Sequence, residues 1–425
     1  MSESQTPSEP HVPGAAEKPQ PEATLDDKFP EGGSRAWGVA LGNAGVTFCT
    51  LGYVNSWGVY QAYYQVNQLR DESSSAIAWI GSLQPFFMFA ASLVGGPLFD
   101  RYGAKVIYPP TVVYIFTLFI TSVCKEYYQF ILCQGILGGI AQGLIMAPAL
   151  AATPQYFNKK RGAAMGIAIA GSSLGGVILP IALNRMLTTT DLGFGWSVRV
   201  IAFLITGVLL VSVPPIRARI PPRESNFLLP RAFKELGYTS LIFGAFFVFL
   251  GMWPPLFYIP SYGIAQGMTP TLAFYLSSIL NAASFPGRVI PAILSDKFGK
   301  TNTFAAAGVA TGILTLCWQR VEGNAAVIVF AALYGFVSGA IISGGTVALA
   351  STPADPKDIG TYMGMGMGVV SISPLIGPPI SGALEDTAQG FKAVSIFAGT
   401  VTLFGGLFVL LVSKPLGGRR ILSYE

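Results

Sequence analysis

Arg288 is the residue best placed to do chemistry. It is the one charge set well inside an apolar run, and the position one helical turn earlier is Ser284, which cannot neutralise it. A charge in hydrocarbon is costly unless it meets a partner or water. A guanidinium that faces a cavity with no carboxylate beside it suits an anionic substrate, because its planar fork matches a carboxylate. The competing expectation is that Arg288 snorkels to the surface. Leu294, where its run ends, is six residues on, about 9 Å at about 1.5 Å per residue. Asn43, Asn55, Gln84, Gln142 and Asn281 are uncharged polar residues in apolar runs. Away from water they need partners, so they face other helices or a substrate. Trp57, Tyr60 and Tyr258 offer ring faces to a planar substrate, or simply pack.

Two turns carry a different chemistry. Asp100-Arg101-Tyr102-Gly103 and Asp296-Lys297-Phe298-Gly299 each follow an apolar run. Their charges mark a membrane surface. The aspartate can stabilise the positive end of a neighbouring helix, and Arg101 can pair with an acidic group in its own half. Gly103 permits a sharp turn. Such contacts can hold one conformation and release in another, so Asp100, Arg101, Gly103, Asp296 and Lys297 are candidate gating residues. The plainer reading is a solvated turn whose charges only set topology.

Enzymatic chemistry finds no footing. The lone histidine, His11, lies in the tail, which excludes histidine-ligated metal and Ser-His-Asp catalysis. Gly171-Ser-Ser173-Leu-Gly175 has the spacing of a hydrolase nucleophile elbow, but it falls in an apolar run and is explained by small-residue helix packing. Gly299-Lys300-Thr301 lacks the upstream glycine of a phosphate-binding loop. We expect no enzyme activity, cofactor, metal, nucleic acid or ATP.

The elements that must position these residues are membrane helices. Of 425 residues, 52% are apolar and 11% charged, less than half the roughly 25% charge of a soluble domain. Fifty glycines suit close helix packing in lipid. After Arg35 the chain reads as apolar runs near 37–60, 77–99, 106–124, 128–152, 163–184, 198–214, 239–260, 272–294, 303–319, 325–350, 359–382 and 392–412. Each is long enough to cross about 30 Å of hydrocarbon. Residues 1–35 are proline-rich and poor in large apolar side chains, so a disordered tail is expected. The four cysteines make no disulfide framework.

With both termini cytoplasmic, inner segments carry 19 lysines and arginines and outer segments 6. The positive-inside rule favours that orientation. Residues 215–238 form the longest inner loop, a linker between a six-helix half at 36–214 and another at 239–412, with a short cytoplasmic tail at 413–425. The halves repeat. The acidic-basic turns lie 196 residues apart; Ala149–Pro154 matches Ala348–Pro353 at 199; Gly162 and Gly166 match Gly360 and Gly364 at 198, as Pro180 matches Pro378. Duplicated halves around a midplane site are the architecture of a secondary transporter. The expected fold is an all-α membrane protein of twelve transmembrane helices in two six-helix pseudo-repeats.

These residues resemble the major facilitator superfamily, whose signature between helices two and three is like Gly96-Pro-Leu-Phe-Asp100-Arg101-Tyr-Gly103-Ala-Lys105. Within it, two stretches are similar to the monocarboxylate porter family. Glu31-Gly32-Gly33-Ser-Arg-Ala-Trp37 resembles the lead into its first helix, and Tyr156-Phe157-Asn-Lys159-Lys160-Arg161, running on through Gly171-Ser172, resembles its fifth-helix signature. The stretch from Tyr53 to Tyr60 looks like fungal members. The resemblance implies a cavity between the halves, lined mainly by spans one, four, seven, eight and ten. It also marks departures. Asn55 stands where lactate carriers of the family place a lysine, and Ser284 where they place an aspartate one turn before the arginine.

The leading expectation is a secondary transporter that moves a small organic anion or monocarboxylate-like metabolite by alternating access, with protons as the candidate coupling ion. The alternatives are an efflux carrier for a fungal secondary metabolite, an uptake carrier for a planar nutrient such as riboflavin, and, more remotely, a non-transporting substrate sensor. The candidate substrate residues are Arg288, Asn55, Ser284, Asn281, Gln142, Tyr60 and Tyr258. The expected location is the plasma membrane, with the vacuolar membrane as the alternative.

Overall fold

The computed structural model describes residues 29–222 and 227–412. Among them every regular element is helical. Helix α1 (Ser34–Cys49) runs through a short α2 (Leu51–Val54) into α3 (Trp57–Val66). Then follow α4 (Ser74–Tyr102), α5 (Tyr108–Thr121), α6 (Tyr127–Phe130) and, after a π-helical turn at Ile131–Leu137, α7 (Gly138–Ala152). Helices α8 (Arg161–Thr189) and α9 (Gly193–Ser212) complete the first half. The second half holds α10 (Leu236–Ala265), α11 (Pro270–Phe298), α12 (Lys300–Cys317), α13 (Asn324–Ala350), α14 (Ile359–Val370), α15 (Ile372–Glu385) and α16 (Phe391–Val412).

All twelve expected apolar runs coincide with helix. Among the described residues eight helical stretches are long and apolar enough to cross a membrane; one of these, Ser75–Thr121, joins α4 and α5. The other runs are helical but broken, as in α1–α3, or more polar, as in α11 and α12. The breaks have local causes. Thr50 ends α1 outside helical geometry, with φ −98° and ψ −82°. A further kink falls at Asn55-Ser56, between α2 and α3.

Most of the proline-rich tail lies outside the described residues, but its last part is ordered rather than free. Residues 29–33 lie along the end of the first half, where the Glu31 backbone N–H donates to the Tyr156 carbonyl at 3.2 Å. Backbone N–H groups of the turn at 158–160 hold this stretch, as described below.

Three hydrophobic cores organise the molecule. One takes its buried residues from 36–216 and is rich in tyrosine and phenylalanine, with Phe257 and Phe274 of the second half packed against it. Another lies wholly in the second half, around Tyr262, Trp318, Phe330 and Tyr334. The third is shared: Met88, Phe89, Met146 and Met165 of the first half pack with Met252, Trp253, Met363 and Met365 of the second. Across the boundary α8 packs on α11, and α14 on α4. The repeat maps α4 onto α11 and α8 onto the α14–α15 segment, so these two contacts are equivalent under the internal symmetry.

Candidate functional site

Each repeated turn reaches into the opposite half, at the end of the molecule where the linker runs. Asp100 accepts hydrogen bonds from the backbone N–H of Gly360 (3.1 Å) and Thr361 (2.6 Å) and from the Thr361 hydroxyl (2.7 Å). Asp296 accepts from the N–H of Gly162 (2.8 Å) and Ala163 (3.0 Å). Each carboxylate thus closes the N-terminus of a helix belonging to the other half, α14 or α8. There the first N–H groups lack helical partners and the dipole favours negative charge. Gly103 and Gly299 end the capping helices with φ of 73° and 92°, a region open mainly to glycine. A Cβ on Gly162 would collide with Ala292, and one on Gly360 with the Asp100 carboxylate. The helix starts can sit this close only because both carry glycine.

The basic partners of the turns behave differently. Arg101 and Lys297 are exposed. Arg101 lies over the ring of its neighbour Tyr102 at 5.8 Å, and neither residue forms an ion pair among the described residues. The expected pairing of Arg101 with an acidic group in its half is therefore not found, since solvent already satisfies the guanidinium.

The two capped helix starts are not equal in their surroundings. Next to α8, the Glu31 carboxylate accepts from the N–H groups of Asn158 (2.6 Å), Lys159 (2.8 Å) and Lys160 (3.1 Å). Glu31 holds a left-handed φ of 51°, rare for a residue with a side chain. Arg161 is buried and donates from Nη1 to the Ala350 carbonyl at the end of α13, at 3.2 Å. Burial raises the Asp296 carboxyl from its ordinary value, against the two helix N–H groups that favour its charged form. Burial likewise depresses Lys300 to about 8, with Arg161 adding to the depression and Asp296 and Glu31 opposing it. Beside α14, Arg231 pairs with Asp358 at 3.6 Å, and the Tyr362 hydroxyl donates to Glu235 at 2.5 Å.

The candidate substrate residues do not form one cluster. Arg288 is 3% exposed, so it does not snorkel. Its Nη1 donates to the Ile169 carbonyl at 3.1 Å and to the Ser172 hydroxyl, both on α8. Its Nε is buried with no acceptor, and it forms no ion pair among the described residues. Ser284 turns the other way, toward Gly339 on α13. Asn55 and Asn281 meet across the halves, with Asn55 Nδ2 donating to Asn281 Oδ1 at 3.2 Å. Gln142 is buried in the first half, where it accepts from Gln84 at 3.4 Å. Tyr60 is fully buried in the first-half core, accepting from the Tyr53 hydroxyl at 3.1 Å and packed near Tyr64 and Phe194. Tyr258 is half-buried and donates to the Pro378 carbonyl at 3.1 Å, bridging α10 and α15. Arg288, Asn55 and Asn281 therefore lie at the boundary between halves, whereas Gln142 and Tyr60 serve the interior of one.

Sequence reasoning missed the shared core. Seven of the ten methionines lie in it, among them the alternating Met363, Met365 and Met367. Trp253 is 5% exposed and stands 6.4 Å from Phe89 of the first half, ring to ring. The signal available was that concentration of methionine in a few runs; read one run at a time, each methionine looks like ordinary filler.

Two duplicated helical halves, sealed to each other at one end by reciprocal carboxylate caps, define a membrane transporter of the two-half type. A family model described as Major Facilitator Superfamily matches residues 46–320 and 289–422, and the chain belongs to that superfamily. It is 54% identical to the aspyridones efflux protein of Emericella nidulans, over 95% of this chain and 82% of that protein. It is 40% identical to the agnestins efflux protein of Paecilomyces divaricatus, over 89% of this chain and 87% of the other. Identity to the fujikurins efflux protein of Gibberella fujikuroi is 38%, over 93% and 89%. Among solved structures, the human organic anion transporter MFSD10 aligns with a TM-score of 0.71 at 13% identity, covering 89% of this chain and all of that one. The fucose transporter FucP in its outward conformation aligns at 0.64 and 16%, covering 87% and 98%. At such identities these two speak to the fold alone.

Proposed function

We propose that the chain exports a fungal secondary metabolite across the plasma membrane by alternating access, with twelve spans and cytoplasmic termini. The observation that carries this reading is the 54% identity to a named efflux protein along nearly the whole chain. It favours efflux over the small-monocarboxylate expectation. Loss of the lysine and aspartate at Asn55 and Ser284 argues in the same direction. The excess of basic residues on the linker side supports a cytoplasmic placement of that side. In the described conformation the Asp100 and Asp296 caps then hold the cytoplasmic face shut, and release of both opens it. Arg101 and Lys297 act as topogenic charges.

The test is a deletion strain grown beside its complemented parent, with untargeted metabolite profiles of mycelium and medium. Export predicts at least one metabolite severalfold enriched in the mycelium and depleted in the medium of the deletion strain. Identical distributions would overturn the reading. A second reading, that the cargo carries an acidic group, is favoured by one observation: among the described residues buried Arg288 has a donor without an acceptor and no carboxylate partner.

A further inference from the structure

We propose that the methionine-rich core shared by the halves is the substrate site, that it takes planar, largely apolar molecules bearing a hydrogen-bond acceptor, and that the Trp253 indole N–H reads that acceptor. The inference deepens the efflux reading and rests on it for the word substrate, but its geometry stands apart.

Trp253 is anchored by rings from both halves. Phe257 stacks on it at 5.7 Å and 27° from its own helix, and Phe89 lies 6.4 Å away on α4. The indole is 5% exposed, and its Nε1 has no acceptor among the described residues. A buried N–H without a partner carries a desolvation cost, so such groups are rare and call for a reason. A ligand carbonyl removes that cost when it binds. Trp318 offers a contrast. It too lacks an acceptor, but it stacks on Phe330 at 5.8 Å and 10° within the second-half core, which draws on that half alone. Only the Trp253 indole faces a boundary that must part when the halves move.

The surroundings fit an adaptable apolar site. Met88, Met146, Met165, Met252, Met363, Met365 and Met367 contribute to this core. Unbranched thioether chains re-pack around different shapes and favour aromatic contacts, and methionine is over-used at binding surfaces that accept several partners. Pro254 and Pro255 follow Trp253 directly. Neither can donate the usual helix bond back to Leu250 or Gly251, so α10 is locally weakened where the indole must shift to admit a ring.

The experiment uses the full chain, purified into nanodiscs, and two tritiated tricycles that differ by one carbonyl, fluorenone and fluorene. Binding is read by scintillation proximity. The wild type should prefer fluorenone by about three- to tenfold, the scale of one net hydrogen bond. Trp253→Phe keeps a ring and removes the N–H; it should abolish the preference and leave fluorene affinity within about twofold. Trp318→Phe should retain the preference. A triple Met88→Leu, Met146→Leu, Met365→Leu variant conserves volume and folds, yet should bind both probes more weakly, because branched side chains re-pack less freely. A wild type that does not discriminate, or a Trp253→Phe protein that discriminates as the wild type does, overturns the proposal. Failure of the efflux reading would show separately, as unchanged metabolite distributions in the deletion strain while purified protein still prefers fluorenone.

Discussion

At the scale of single residues, Arg288 tests what the boundary recognises. It holds α11 to α8 through Ile169 and Ser172 and keeps Nε in reserve. If the cargo is acidic, Arg288→Ala removes a charge-assisted contact of about 1.5–3 kcal/mol, or roughly ten- to a hundredfold in apparent affinity. Arg288→Lys should recover part, because the charge stays while the fork is lost. Concentration-dependent transport in vesicles, with the metabolite found in the deletion strain and normalised to inserted protein, reads both. An unchanged half-saturation constant for Arg288→Ala would exclude the clamp. Lys300 gives a stability test. Its folded pKa of about 8 lies below the ordinary lysine value, so the unfolded chain binds the extra proton, and stability must rise with pH across that interval. Lys300→Met should therefore raise the thermal midpoint at pH 7, with the gap to wild type shrinking as pH climbs from 8 toward 10. A gap that stays flat would mean a solvated ammonium.

At the scale of elements, the reciprocal caps make the sharpest prediction. An asparagine at position 100 or 296 keeps one acceptor oxygen but turns an amide donor toward a helix N-terminus that already offers donors. Asp100→Asn and Asp296→Asn should each leave the protein inserted while lowering transport, because the closed linker face loses stability in one or the other symmetry-related cap. Wild-type rates in both variants would leave the turns with a topogenic role only. The repeated turns were legible in advance, since the Asp-x-x-Gly turns and the Gly-x-x-x-Gly starts recur at offsets of 196 and 198 residues, but which helix each aspartate caps was not. Helix limits also matched the apolar runs within a few residues, because hydrocarbon thickness and charge fix them alike. The interruptions at Thr50 and Ser371 and the π-turn at Ile131–Leu137 were not legible. They depend on how neighbouring helices pack, and no run of sequence states that. Ser284 shows the same limit: spacing put it one turn from Arg288, but packing turns it toward α13.

At the scale of the whole molecule, the three cores separate what folds from what moves. Each half owns a buried aromatic core, so each can hold its shape while the shared methionine core rearranges between them. The described start of the linker is pinned, with the Arg219 backbone N–H donating to Gln155 Oε1 at 2.8 Å and the Tyr156 hydroxyl donating to the Arg217 carbonyl at 3.1 Å. Residues 217–220 are fastened to the first half and Arg231 and Glu235 to the second, so each described end of the linker is tied to the half it adjoins. Alignment comes from the shared core, the two caps and the α4–α14 and α8–α11 contacts. A chain cut within residues 223–226 and co-expressed as two fragments should therefore reassemble. The fragments should co-purify in mild detergent and restore export in the deletion strain to a substantial fraction of the intact level. Either fragment alone should insert but not export. Adding Asp100→Asn together with Asp296→Asn to the split protein should weaken co-purification more than it weakens insertion, since the caps then carry load that the peptide bond no longer shares. Fragments that both insert yet never co-purify would mean that the linker, not the paired surfaces, holds the two halves in register.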